Sequence, residues 1–174
     1  MSVTFKGSPV SLGDVDLKVG DKAPIVSLIG SDLSTVKVGG ESEKIQILVV
    51  VPSLDTAVCA NETRKFNVEA AKLEKATVVV ISMDLPFASG RFCTTEGIAN
   101  LKVASDFRSK EFSKKYGVLL KDSPLEGLST RAIFVVNTKG EVVYKELVPE
   151  ITSEPDYAKA IAAVKASCGC GCSK

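Results

Sequence analysis

Ile45-Gln46-Ile47-Leu48-Val49-Val50-Val51-Pro52-Ser53-Leu54-Asp55-Thr56-Ala57-Val58-Cys59 is the stretch whose reading decides the fold. Residues 45–51 are apolar except for Gln46 and do not alternate. A strand covered on both faces reads this way, because neither face meets water. Pro52 then stiffens a turn and removes an amide donor. Residues 60–75 favour helix, so a buried strand runs through a Pro-led turn into a helix whose first turn carries a cysteine. Asp55 or Thr56 can cap that helix, because a short side-chain oxygen satisfies the free amides of the first turn. Those amides and the helix dipole favour the thiolate form of Cys59, and the thiolate is the nucleophile.

Outward from this unit the chain keeps alternating strand and helix. The first twenty residues read as a small hairpin, and residues 25–29 and 35–38 as short strands. After Cys59, Phe66, Ala70 and Leu73 recur at helical spacing. Residues 77–81 form a second buried strand. Residues 85–100 open with Pro86, suited to a helix's first turn, contain Cys93, and are broken by Gly90 and Gly97. A short strand over 101–104 and a helix over 109–116, stopped by Gly117, come next. Residues 131–136 make a third core strand, 137–140 a hairpin turn, and 142–147 the returning strand. Residues 153–155 open a last helix with Tyr157, Ile161 and Val164 on its inner face. Parallel strands joined by helical crossovers imply an α/β protein: a central mixed sheet flanked by helices, of thioredoxin-like type, with an N-terminal β-hairpin extension. One domain over residues 1–167 is expected, followed by a cysteine-rich tail over 168–174.

Composition bounds the function. The chain has 174 residues, 45% hydrophobic and 25% charged, enough for one sizeable core. The net charge is +1 with no basic cluster, which argues against nucleic acid and anionic membranes as partners. No run approaches the roughly 18 apolar residues of a membrane span. The first residues lack the apolar core of a signal peptide, so a cytoplasmic location with reduced thiols is expected. There is no histidine, which removes Ser-His-Asp and Cys-His catalysis and every His-ligated metal site. The five cysteines divide into Cys59 and Cys93 in the body of the chain and Cys168, Cys170 and Cys172 near its end.

Pro52-x-x-x-Thr56-x-x-Cys59 resembles the peroxide-reactive motif of the peroxiredoxins. The wider sequence is similar to their thiol peroxidase branch. That likeness rests on Arg64-Lys65-Phe66-Asn67, Asp84-Leu85-Pro86-Phe87-Ala88, Arg91-Phe92-Cys93, Glu96-Gly97-Ile98, Tyr116-Gly117-Val118 and Ile151-Thr152-Ser153-Glu154-Pro155-Asp156-Tyr157. It runs from about residue 3 to about residue 166. The resemblance implies an atypical two-cysteine enzyme that reduces hydrogen peroxide and organic hydroperoxides. In it Cys59 is the attacking thiol, Cys93 resolves the sulfenic acid within the same chain, Pro52 shields the sulfur from water, and Arg131 lies against the thiolate. It also implies a homodimer, recycling by thioredoxin or a similar dithiol protein, and no metal or organic cofactor.

Plainer readings stand beside these. Thr56 can reach the thiolate or simply cap the helix. Arg131, at the edge of an apolar run, needs a partner and could find it in a surface ion pair. Two cysteines on different helices can exceed the ~7 Å Cα separation that a disulfide spans, so local unwinding is expected before Cys59 and Cys93 join. The tail thiols could chelate a soft metal, stay as exposed thiols or enter thiol exchange. Rival readings are a thiol-based redox sensor or metal-storage module, and a thioredoxin-like disulfide oxidoreductase. The last wants a second cysteine three positions from the first, where this chain has Thr56 and Glu62.

Overall fold

The computed structural model describes residues 2–168. β1 (Ser2–Phe5) and β2 (Ser8–Ser11) form an antiparallel hairpin sheet of their own. Lys6 and Gly7 link them with φ of 51° and 80°. Positive φ at both central residues gives the turn whose twist matches paired strands.

Seven strands build the main sheet: β3 (Val26–Gly30), β4 (Thr35–Val38), β5 (Ile45–Val50), β6 (Ala76–Ser82), β7 (Lys102–Ser105), β8 (Ala132–Val136) and β9 (Val142–Leu147). Their order is β4-β3-β7-β6-β5-β8-β9. β5, β6 and β7 are parallel, and the strands on both flanks are antiparallel. The helices are α1 (Ala57–Ala70), α2 (Pro86–Glu96), α3 (Glu111–Lys115) and α4 (Tyr157–Ser167). This is the thioredoxin-like arrangement expected, with the hairpin extension in place.

β5 is buried along its whole length. Gln46 tolerates this because its side chain accepts from the Gly39 amide at 2.9 Å and donates to the Gly39 and Gly40 carbonyls. Successive side chains of a strand point to opposite faces. Leu48, Val50, Phe134 and Val136 therefore pack with Phe112 and Tyr116. Ile47, Val49, Ile133 and Val135 pack with Phe66, Ala160 and Val164 of α1 and α4. The same alternation assigns Arg131, two residues before Ile133, to the face that carries α1.

Several boundaries differ from expectation. α1 ends at Ala70 rather than near residue 75, because the chain tightens there: the Lys72 and Leu73 amides donate to the Glu69 and Ala70 carbonyls. Leu73 still reaches the core from this turn, so its helical spacing was a true packing signal and a false helix signal. α2 passes through Gly90 unbroken and stops only at Gly97, with φ of 65°. A glycine inside a helix costs about 1 kcal/mol and does not forbid it. α3 is shorter than 109–116, and α4 begins at Tyr157, where Asp156 accepts the Lys159 amide as N-cap. Cys168, read from sequence as the first tail residue, is the C-cap of α4 and is half-buried against the core. Cys170 and Cys172 lie outside the described residues.

Gly117 ends the turn after α3 with φ of 69°, and a Cβ there would sit 1.8 Å from the Val15 carbonyl oxygen. Gly117→Ala should therefore destabilise the protein by more than about 1 kcal/mol, since both backbone strain and a backbone clash oppose it. Urea titration measures this, and an unchanged midpoint would remove the close approach from the account.

Candidate active site

Cys59 is the third residue of α1 and is fully buried. Thr56 precedes the helix in extended conformation, and its Oγ1 accepts the Cys59 amide at 3.4 Å while donating to the Ser53 carbonyl at 3.4 Å. Thr56 is thus the N-cap. Both hydrogen bonds of its hydroxyl hold the turn and the helix start, and through them the cysteine backbone. Pro52 is buried at the head of that turn.

The inner face of α1 carries Cys59, Glu62, Thr63 and Phe66, all buried, at helical spacing. Arg131 meets this face from the start of β8 and is only 2% exposed. Its guanidinium is used in three directions. Nη2 donates to Cys59 Sγ at 3.3 Å, Nε donates to the Ile151 carbonyl at 2.9 Å, and Nη1 donates to Glu62 Oε2. The surface ion pair that a plainer reading allows is therefore not what this arginine makes.

Glu62 was named in the sequence only as the place where a second cysteine is missing. It is the site residue that sequence reasoning passed over. The available signal was an acid one helical turn after Cys59, on the face that also carries Phe66. Its Oε1 has no hydrogen-bond partner among the described residues. Burial pushes its carboxyl up, to about 7, against the pull of Arg131. For Arg131 the balance is reversed: burial pulls its pKa down, but Glu62 and Cys59 together carry it above its ordinary value. The two directions agree with the geometry. The guanidinium has three acceptors, and the carboxyl has one donor and a bare oxygen.

Cys93 lies on α2, half-buried, and packs against the same apolar cluster that contains Cys59. Both thiols are free. Burial alone pushes the Cys93 thiol up. α2 is tied to α1 at its far end: Arg64 pairs with Glu96 at 2.6 Å, and Asn67 Oδ1 accepts the Ala99 and Asn100 amides. At its near end stands Asp84, quoted above for its place in the sequence but given no role there. Its carboxylate accepts Ser53 Oγ, the Leu54 amide and Ser82 Oγ. The structure thus gathers Cys59, Thr56, Arg131 and Pro52 around one helix start, with Cys93 on the neighbouring helix.

A raised carboxyl pKa sets a sign for stability. The folded protein holds the Glu62 proton to higher pH than the unfolded chain, so this contribution is complete in mild acid and is lost as pH rises through about 7. Glu62→Gln should gain stability relative to the parent between about pH 5 and about pH 8. Denaturant midpoints of both proteins at the two pH values test this, and a pH-independent difference would refute it.

The chain has close relatives of known kind. The sequence profile of the Redoxin family matches residues 18–161. A thiol peroxidase of Campylobacter jejuni is 56% identical over 173 residues, covering 98% of each chain. A thiol peroxidase of Leptospira interrogans is 52% identical over 167 residues, covering 95% of this chain and 98% of its own. The crystal structure of a peroxiredoxin-like protein from Aquifex aeolicus superposes with a TM-score of 0.92 at 47% identity, covering 95% of this chain and 96% of that one. A thiol peroxidase from Chromobacterium violaceum, 20% identical, shares the fold with a TM-score of 0.86 over 95% of this chain and 96% of its own. A helix-borne thiol against a buried arginine, set in this fold and with these relatives, places the chain in the redoxin family, among the thiol peroxidases of the peroxiredoxin type.

Proposed function

We propose that Cys59 is the thiol that attacks the peroxide and that Cys93 is its disulfide partner. The observation that carries this reading is the 3.3 Å contact from Arg131 Nη2 to Cys59 Sγ. A cation held there stabilises negative charge on the sulfur and on the oxygens as the O–O bond breaks. Thr56 and Pro52 act through position, by fixing the turn from which α1 begins.

The thiolate of Cys59 attacks one peroxide oxygen. An S–O bond forms, the O–O bond breaks, and the departing hydroxide or alkoxide takes a proton to leave as water or alcohol. Cys59 is then a sulfenic acid. The Cys93 thiolate attacks its sulfur, an S–S bond forms, and the hydroxyl leaves as water after protonation. A dithiol protein such as thioredoxin returns both thiols by exchange. Hydrogen peroxide and organic hydroperoxides are the substrate class. Half-buried, with its thiol pushed up by desolvation, Cys93 is a poor nucleophile where it rests, which supports local unwinding of α2 before the second step. That helix is suited to it. It has no side-chain N-cap, no acid in its first turn and no base in its last, and Ser89 is its one buried residue.

The chain is also read as a cytoplasmic homodimer. None of its described helices is long and apolar enough to cross a membrane. Leu85, Phe87 and Phe107 are exposed and follow the paired ends of β6 and β7, where Ser82 lies opposite Ser105. A second copy seated there would cover this apolar surface. Phe87→Glu should shift the protein toward monomer in sedimentation velocity, and a parent that sediments as a monomer would end the dimer reading.

Mass mapping after one equivalent of peroxide tests the chemistry. The parent should yield a Cys59–Cys93 disulfide. Cys59→Ser should consume no peroxide, and Cys93→Ser should react once and then over-oxidise under excess peroxide. Sustained thioredoxin-linked turnover by Cys93→Ser would remove Cys93 from its role, and full turnover by Cys59→Ser would remove Cys59.

A further inference from the structure

Asp84 stands between the two cysteine-bearing segments. It follows β6 and directly precedes Leu85, the N-cap of α2. Its carboxylate reaches the other way, toward the turn before Cys59. Oδ1 accepts Ser53 Oγ at 2.8 Å, and Oδ2 accepts the Leu54 amide at 2.7 Å and Ser82 Oγ at 2.8 Å. Bonds of this kind to a charged acceptor are about twice as strong as neutral ones. No other side-chain hydrogen bond among the described residues joins residues 52–55 to the junction of β6 and α2.

Packing shares in this link, since Leu54 is buried in the cluster that holds Cys59 and that Phe92 and Cys93 pack against, but it leaves the polar side of the turn open. A cavity of about 290 Å³ opens between the turn and α2, lined by Ser53, Leu54 and Asp55 on one side and by Arg91 and Phe92 on the other, with Asp84 between. Every side-chain hydrogen bond that fixes the turn on this side therefore runs to one carboxylate. What the turn fixes in its place is the reactive centre. Ser53 holds Thr56 through its carbonyl, and Thr56 holds the Cys59 amide.

We propose that Asp84 is a positioning residue that clasps residues 53–54 to the start of the Cys93 helix and holds Cys59 in its peroxide-facing place against Arg131. The proposal rests on the cysteine roles given above. With the clasp closed, the first turn of α1 is intact and Cys59 lies on the guanidinium. With it open, the turn loosens, the first turn of α1 frays, and Cys59 is freer to meet Cys93. Because Asp84 adjoins α2, unwinding of that helix pulls on the same carboxylate that anchors the Cys59 turn. The clasp thus favours the peroxide step and opposes the disulfide step.

The test follows both steps in pre-reduced protein by rapid quench and mass spectrometry, with hydrogen peroxide as the probe. Asp84→Ala should slow loss of the Cys59 thiol by about 10- to 100-fold, the penalty expected for a displaced reacting group. It should also raise the ratio of Cys59–Cys93 disulfide to Cys59 sulfinic acid under excess peroxide. Asp84→Asn keeps one acceptor oxygen and should fall between parent and alanine in both readouts. Ser53→Ala leaves the carboxylate in place and should move both in the same directions by a smaller factor, which keeps the test decisive if Asp84→Ala fails to fold. Thiol loss at the parental rate, an unchanged product ratio, or equal slowing of both steps in Asp84→Asn and Ser53→Ala would overturn the clasp. A parent whose Cys59 thiol survives peroxide would instead overturn the cysteine assignment, and the clasp with it.

Discussion

A buried guanidinium organises this protein's site. Arg131 is withdrawn from water almost completely, and a buried cation survives only if its donors are met. Three groups on two elements meet them: Cys59 and Glu62 on α1, and the Ile151 carbonyl in the segment after β9. Each partner is pinned in turn. Cys59 and Glu62 share one face of α1 at i and i+3, and Ile151 is buried in the cluster beneath the hairpin sheet. Strand, helix and loop are thus joined by one side chain. The reactive sulfur is one of the groups that solve the arginine's solvation problem. In a chain without histidine, the charged group set beside the sulfur is this fixed cation.

The parts of this arrangement differ in how far the sequence shows them. β5, β6 and β8 are legible because apolar runs flanked by turns leave few other readings. The start of α1 is legible because a proline, a capping residue and a cysteine fall in the order a helix N-terminus requires. Its end is not, because Leu73 keeps the helical spacing while the backbone has already turned. Gly90 misled in the opposite sense, since propensity is a cost and not a prohibition. At the site, Cys59 and Thr56 read from local spacing. The place of Arg131 against the sulfur is legible only through the family resemblance, since the residues alone allow a surface ion pair. Its partners do not show in local spacing, because they are separated from it by 69 and 72 positions. Asp84 is hidden for the same reason: its contacts at residues 53 and 54 cross 31 and 30 positions.

The two carboxylates that the sequence left unread divide the work of the site. Glu62 is deeply buried, has one charged donor and leaves an oxygen bare. Its charge is therefore conditional, and it modulates the electrostatics around Arg131. Asp84 is only partly buried and has several donors. Its oxygens are met by a turn amide and two hydroxyls, so what it supplies is position. One acid acts on the charge beside the sulfur and the other on the backbone beneath it. A change at either would reach Cys59 without touching it.

The same contrast separates the two thiols and gives the proposed chemistry its order. Cys59 lies inside the apolar cluster that half-buried Cys93 packs against, so contact with apolar surface is common to both and the charged neighbours are not. Cys59 has a cation at 3.3 Å and a helix start beneath it. Cys93 has desolvation and no charged neighbour that shifts it, and its thiol is pushed up. A thiol attacks only as far as it is ionised. In the proposed order, the thiol held on the guanidinium attacks first and the desolvated one second. In the proposed chemistry Cys93 becomes competent when α2 loosens, and a helix with one buried residue and no side-chain N-cap has little packing to lose. On the proposed roles, placing the second thiol on a helix that must loosen keeps it from competing with the first, so the order of oxidation follows from the position of the one buried cation among the described residues.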